Sequence, residues 1–248
     1  MLDDVVLKDD GTKSPLICTI FGDPGLGKTS LAATFPNPIF LRLEDGLKSV
    51  NPMPHTFPIC YKSEAVFGYL QALRKEDHNY KTLVIDSISQ LDEIFSAEIL
   101  AEDPNAKALN LAHGGYGSAY NMLAAKHGKV RKYAEVLMRE KSMNIVFIGH
   151  TELEDINPPD GSGQYNRYNI RLSKKSRCHY IDNVDLVGFL KLDYFIKGEK
   201  TEKTKKALDS GERILVCHAA ASNVSKNRLG IDEPLAVERN KNPLQEYI

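Results

Sequence analysis

Several signatures are missing from this chain, and each absence removes a class of function. No apolar stretch is long enough to span a bilayer, and no secretory leader is visible, which predicts a protein of the cytoplasm without a membrane partner. The four cysteines (Cys18, Cys60, Cys178, Cys217) are scattered, with no C-x-x-C pair. That excludes a disulfide framework or zinc ribbon and fits reduced thiols, with Cys18 and Cys217 inside strand-like runs. The histidines show neither H-E-x-x-H nor zinc-finger spacing, so a protein-bound transition metal is not expected. Formal net charge is only −1 over 248 residues, so binding to nucleic acid would have to come from a local basic patch. No linker-like segment divides the chain, and 42% hydrophobic with 26% charged residues is ordinary for one large α/β domain covering 1–248.

What is present begins with Gly22-Asp-Pro-Gly-Leu-Gly-Lys28-Thr29, a complete G-x-x-x-x-G-K-T loop. It follows the apolar run Leu16-Ile-Cys-Thr-Ile-Phe21 and opens a helical segment from Lys28, so strand, loop and helix stand in the order a phosphate cradle needs. Gly25 and Gly27 let the backbone curl, so that N–H groups from Gly22, Asp23, Pro24, Gly25, Leu26, Gly27, Lys28, Thr29 and Ser30 can surround a triphosphate (Pro24 contributing conformation only). Lys28 reaches the β- and γ-phosphates and the Thr29 hydroxyl ligates Mg²⁺, so the predicted cofactors are ATP and Mg²⁺.

Further strand candidates are 39–43, 82–86, 144–149, 184–192 and 213–219, nearly continuous in hydrophobicity as strands covered on both faces are. Amphipathic helices are expected over 63–75, 87–100 and 116–141, the last interrupted at His127-Gly128. The pattern predicts a three-layer αβα sandwich with a mostly parallel central sheet and ligands at the carboxyl ends of its strands. No apolar helix separates the last two strands, only a lysine-rich stretch, so they are expected to form a C-terminal β-hairpin with a solvated tip.

Thr82-Leu-Val-Ile-Asp86 is an apolar strand ending in an acid, placed as a second Mg²⁺ ligand should be. The competing reading of Asp86 is a cap for the helix that starts at Ser87. Val84-Ile-Asp-Ser-Ile-Ser-Gln-Leu91 resembles the corresponding stretch of RecA-type recombinases, and the strand after the phosphate-loop helix, Ile39-Phe-Leu-Arg-Leu-Glu44-Asp45, ends in an acid as the corresponding strand of that family does. The resemblance implies that Glu44 activates the attacking water; the bland alternative for Glu44 and Asp45 is acids at a helix start. Asn144-Ile-Val-Phe-Ile-Gly-His150 is similar to the strand whose terminal residue senses the γ-phosphate, with His150 where the family has Gln. Lys226-Asn-Arg228-Leu-Gly230 is similar to the K-N-R-x-G motif of RadA-like and DnaB-like ATPases. There the basic pair reaches a neighbouring subunit's γ-phosphate, which implies a ring or filament with ATP at its interfaces.

Together these motifs cover most of 16–230 and best resemble the phage-encoded RecA-like single-strand annealing ATPases, the Sak-type proteins. The implied partners are single-stranded DNA, further copies of the chain and a single-strand-binding protein. The segment after His150 stands in the place of the family's second DNA loop. Within 164–180 it carries Tyr165, Arg167, Tyr168, Arg171, Lys174, Lys175 and Arg177 without one acid, behind a glycine- and proline-rich stretch expected to be mobile. Tyr116, among the glycines of 110–117, stands where the first DNA loop lies. The alternatives are a DnaB-like hexameric motor and a regulatory ATPase that binds no DNA.

Overall fold

A computed structural model of the chain describes residues 13–159, 161, 163–197 and 206–248. The elements in chain order are β1 (Ile17–Gly22), α1 (Lys28–Ala32), β2 (Pro38–Arg42), β3 (His55–Thr56), α2 (Ser63–Lys75), β4 (Thr82–Asp86), α3 (Ile88–Ala101) and α4 (Ser118–Lys141). They continue with β5 (Asn144–Ile156), β6 (Tyr165–Ile170), α5 (Cys178–Ile181), β7 (Leu186–Lys197), β8 (Lys206–Val216), β9 (Lys226–Asn227) and β10 (Leu235–Ala236). The main path through the sheet runs β10-β8-β7-β1-β5-β4-β2-β3, with β6 on β5 and β9 on β7. From β7 to β3 every neighbouring pair is parallel, while β8, β9, β10 and β6 join antiparallel.

Strand alternation sorts the core into two layers, because successive side chains leave opposite faces of a sheet. Ile17 and Phe21 of β1, with Ile145 and Phe147 of β5, pack beneath α2, α3 and α4. Cys18 and Ile20, with Val146 and Ile148, face the other side, where Leu31 and Ala32 of α1 meet Ile231, Val237 and Leu244 of the C-terminal segment. The expected αβα sandwich is therefore present, but asymmetric. Its second layer holds a helix of only five residues, and irregular C-terminal chain completes the cover.

Three features differ from the sequence expectation. Helix α4 is continuous over 24 residues, without an interruption at His127-Gly128. Gly128 serves close packing instead: a Cβ there would lie 3.1 Å from the His179 ring, and buried His127 bonds Tyr180 and Asp92. Second, β5 runs on past Gly149 to Ile156, and β6 pairs antiparallel with that extension. Much of 164–180 is thus a hairpin arm and a short helix rather than an open loop. Third, the two-residue strands β3, β9 and β10 have no local periodicity from which to be read. The antiparallel β7–β8 hairpin is as expected, but β7 runs on to Lys197 and β8 begins at Lys206. Residues 206–210 of the lysine-rich stretch 197–210, expected to be a solvated tip, therefore belong to strand β8; residues 198–205 lie outside the described residues. So do residues 1–12 and, in the stretch before β6, Asp160 and Ser162. No helix among the described residues is long and apolar enough to cross a membrane.

Register decides where chemistry can occur. Gly22 pairs with His150 across β1–β5, and Arg42 with Asp86 across β2–β4, so the ends of four parallel strands converge on one edge. A Cβ on Gly22 would lie 2.3 Å from the Leu190 carbonyl of β7, so only glycine lets the loop leave the sheet there.

Candidate functional site

The loop between β1 and α1 adopts the curl its glycines permit: Gly25 and Gly27 have φ of +82° and +86°. Lys28 is buried at the start of α1 and donates from Nζ to the carbonyls of Gly22 and Asp23, 2.8 Å each. Burial lowers its pKa, opposed by the nearby carboxylates of Asp86, Glu44 and Asp23. Thr29 Oγ1 donates to Asp86 Oδ2 at 2.8 Å, tying the loop to the end of β4. A hydroxyl and a carboxylate held side by side are two oxygen donors of the kind Mg²⁺ takes when phosphates and water complete its shell, so the residues fit that ion.

Burial pushes the Asp86 carboxyl up to about 6, against the Thr29 hydrogen bond. An acid whose folded pKa exceeds its ordinary 3.8 stabilises the fold fully below that value, and the contribution is lost as pH rises through about 6. At neutral pH the nucleotide-free protein therefore carries the cost of a buried carboxylate. Asp86→Asn is expected to raise stability at pH 7 by on the order of 1–3 kcal/mol, an increment that shrinks away as pH falls towards about 4. Thermal melts of the two proteins across that pH range measure it; equal melting temperatures at pH 7 would contradict it.

Glu44 and Asp45, adjacent in sequence, diverge. Asp45 is half exposed and pairs with Lys48 at 2.8 Å. Glu44 turns inward, its oxygens 3.1 and 3.3 Å from His150 Nε2. The His150 hydrogen bond holds the Glu44 carboxyl below its ordinary value, against burial, with Ser87 and Lys28 assisting. His150 donates its backbone N–H to Ser89 Oγ at 3.0 Å, and the next residue, Thr151, hydrogen-bonds Asp23 of the loop. The helix cap after β4 is Ser87, whose Oγ accepts from Gln90 N, leaving Asp86 free to face Thr29. Gly22, Asp23, Lys28, Thr29, Glu44, Asp86 and His150 thus share one edge of the sheet.

Lys226 and Arg228 stand elsewhere. Strand β9 pairs with Leu186 and Val187, at the start of β7, whereas Gly22 pairs with Leu190. That is the opposite end, about 10 Å back along the strand. Lys226 donates to the Asp182 carbonyl, and Arg228 lies 3.8 Å from Asp185. The basic pair does not reach the loop of its own chain.

The predicted DNA contacts divide in two. Arg167 and Arg177 are taken by acids that 164–180 itself lacks: cross-strand pairing sets Arg167 opposite Glu154, at 3.2 Å, and Arg177 pairs with Glu152 and Glu154. Tyr168 stacks on Phe189 at 5.0 Å, and Phe189 on Phe21 at 5.0 Å. These three residues build the arm. Facing outward are Tyr165, Arg171 (3.4 Å from Glu93), Lys174 and Lys175. Tyr116 is fully exposed at φ 49°, and the glycine beside it, Gly117, lies against Lys175, which itself donates to Asn121 at 2.7 Å. The two expected DNA segments therefore meet on one surface.

Arg213 was not anticipated. It stands at the head of an apolar run, where nothing local marks it, yet its Nη1 donates to the Leu26 carbonyl of the phosphate loop at 3.3 Å.

The model of a protein family described as AAA domain matches residues 14–229, most of the chain and all of the site above. No curated protein matches the sequence.

Proposed function

This chain belongs to the AAA domain family of P-loop ATPases, and from that premise we propose that it is an ATP-dependent single-stranded-DNA-binding recombination protein of the RecA-like annealing type, working as a homo-oligomer. The observation that carries the reading is the continuity of β5. One strand begins beside β1, touches Glu44 through His150 and the phosphate loop through Thr151, and ends as the arm whose Glu152 and Glu154 hold Arg177 and Arg167. A change at the nucleotide is thereby a change at the base of the surface bearing Tyr116, Lys174 and Lys175.

In this reading Lys28 grips the β- and γ-phosphates, and Thr29 and Asp86 would hold Mg²⁺, which would supply neutralisation of phosphate charge. Glu44 orients the attacking water, and His150 reports the terminal phosphate to the arm. Lys226 and Arg228, remote from their own loop, serve the nucleotide of an adjacent copy. The outward cations track the DNA backbone while Tyr116 and Tyr165 offer ring faces to unpaired bases.

Binding of labelled single-stranded DNA, with and without Mg²⁺ and a non-hydrolysable ATP analogue, tests the proposal; equal affinity in the two conditions overturns it. Replacing Arg171, Lys174 and Lys175 together by alanine is expected to flatten the salt dependence of log affinity by about 0.7 per lost phosphate contact, about 2 in all. An unchanged slope would put the DNA on another face. Assaying annealing beside strand displacement separates this reading from a DnaB-like motor.

A further inference from the structure

Between α3, the start of α4 and the foot of the hairpin arm lies a cavity of about 300 Å³. Leu109, Leu123, Leu172 and Tyr120 give it an apolar lining, continuous with the core beneath α2, α3 and α4. Arg171, one of the outward cations assigned above to the DNA backbone, stands at the same cavity. Lys175 is anchored to Asn121, the residue after Tyr120, so the cavity borders the surface where Lys175 meets the Tyr116 segment. Room for one planar ring system, apolar walls and a cationic border suit an unstacked nucleobase.

Three acids line the cavity, and two are matched by arginines: Glu93 by Arg171 at 3.4 Å, and Glu152 by Arg177. Asp92 is held differently. Its Oδ1 accepts from His127 Nε2 at 3.0 Å and from Ser173 N at 3.4 Å. A carboxylate only accepts, so Nε2 is the donor, and the other ring nitrogen, Nδ1, meets the Tyr180 hydroxyl at 2.7 Å. His127 and Tyr180 are wholly buried, with the rings of Phe95 and Phe147 against them. A buried polar relay is worth its desolvation only when every member is satisfied, and what this one fixes at its outer end is one oxygen of Asp92. The second, Oδ2, is left to accept at the cavity.

We propose that this cavity receives one base flipped out of bound single-stranded DNA and selects bases that carry an exocyclic amine, with Asp92 Oδ2 accepting from that amine. The assignment rests on the reading of the Tyr116, Arg171, Lys174 and Lys175 surface as the DNA face. Orientation follows from charge. The acids of the cavity repel phosphate while the cations at its border attract it, so a nucleotide enters base first. Cytosine and thymine make the sharpest comparison. They share one ring size, but cytosine offers an amine where thymine offers a carbonyl oxygen, and a carboxylate repels the second.

The test is binding of labelled oligo-dC and oligo-dT of equal length to the full chain, at neutral pH with Mg²⁺ and the non-hydrolysable ATP analogue. Wild type is expected to bind oligo-dC about tenfold more tightly, the effect of one hydrogen bond to a charged acceptor. Asp92→Asn keeps an acceptor for His127 and turns a donor towards the base, so the preference should vanish or pass to oligo-dT. Should that exchange disturb the buried relay, Ser96→Phe lies outside it and fills the cavity from α3. This second variant is expected to bind the two oligonucleotides equally, with oligo-dT affinity within about twofold of wild type. Loss of the oligo-dC preference in either variant, with oligo-dT binding kept, supports the site. A wild-type chain that binds both equally or prefers oligo-dT, or an oligo-dC preference unchanged in both variants, overturns it and leaves the DNA face standing. Failure of the wild-type chain to bind either oligonucleotide overturns the DNA face and the base site together.

Discussion

Lys28→Ala is expected to abolish nucleotide binding, lowering ATP affinity by at least about a hundredfold, and with it the ATP-dependent part of DNA binding. The ammonium sits buried among Asp86, Glu44 and Asp23, and its pKa is already lowered by burial. Among the described residues it is the only lysine in the strand-end cluster, and charge-assisted bonds to phosphate in such a site are roughly twice as strong as neutral ones. Its bonds to the Gly22 and Asp23 carbonyls also hold the curl of the loop, so alanine removes both the charge and part of the shape. Titration calorimetry with Mg-ATP measures the first effect. An affinity within a few-fold of wild type would mean that the loop does not bind phosphate through Lys28. DNA binding by the variant, with the non-hydrolysable analogue present, should match the wild-type value without nucleotide.

Glu44→Gln is expected to leave ATP affinity within about threefold while reducing turnover by about a hundredfold to ten-thousandfold, the range for a positioned general base. Glutamine preserves the shape of the side chain and a hydrogen bond to His150, but cannot accept a proton from water. The carboxylate is well suited to the role: His150 keeps it ionised, and it lies near enough to Lys28 for the two to influence each other's charge. Steady-state hydrolysis measured beside equilibrium binding separates the two quantities. Wild-type turnover in this variant would remove Glu44 from the chemistry. A parallel loss of binding would make it a structural partner of His150 instead.

The parts of the molecule visible in its sequence are those whose physics is local. Residues 16–21 and 82–86 read as strands because both faces are covered, and the loop reads as a cradle because its glycines must curl. Glu44, Asp86 and His150 could be placed together in advance because Asp86 ends β4, Glu44 follows the end of β2 and His150 is where the parallel pairing of β5 with β1 stops, all at one edge. What escaped depends on partners distant in the chain. The basic run of 164–180 looked uncompensated because Glu152 and Glu154 belong to the preceding strand, and only antiparallel pairing brings them across. Gly128 looked like a break because the His179 ring that packs on it comes from another element. Arg213 carried no local mark, since its meaning comes from the Leu26 carbonyl nearly two hundred residues earlier.

The stacked rings of Tyr168, Phe189 and Phe21 have a mechanical consequence. They form a strut from the hairpin arm, through β7, to the last side chain before the phosphate loop. The arm cannot tilt relative to the sheet without either sliding one ring off the next or carrying Phe21, and with it the mouth of the loop, along. Each slip forfeits aromatic contact worth about 0.5–1.5 kcal/mol, so small displacements favour joint travel over separation. Whatever seats itself on the arm therefore pushes, through these rings, on the residue that leads into the phosphate loop.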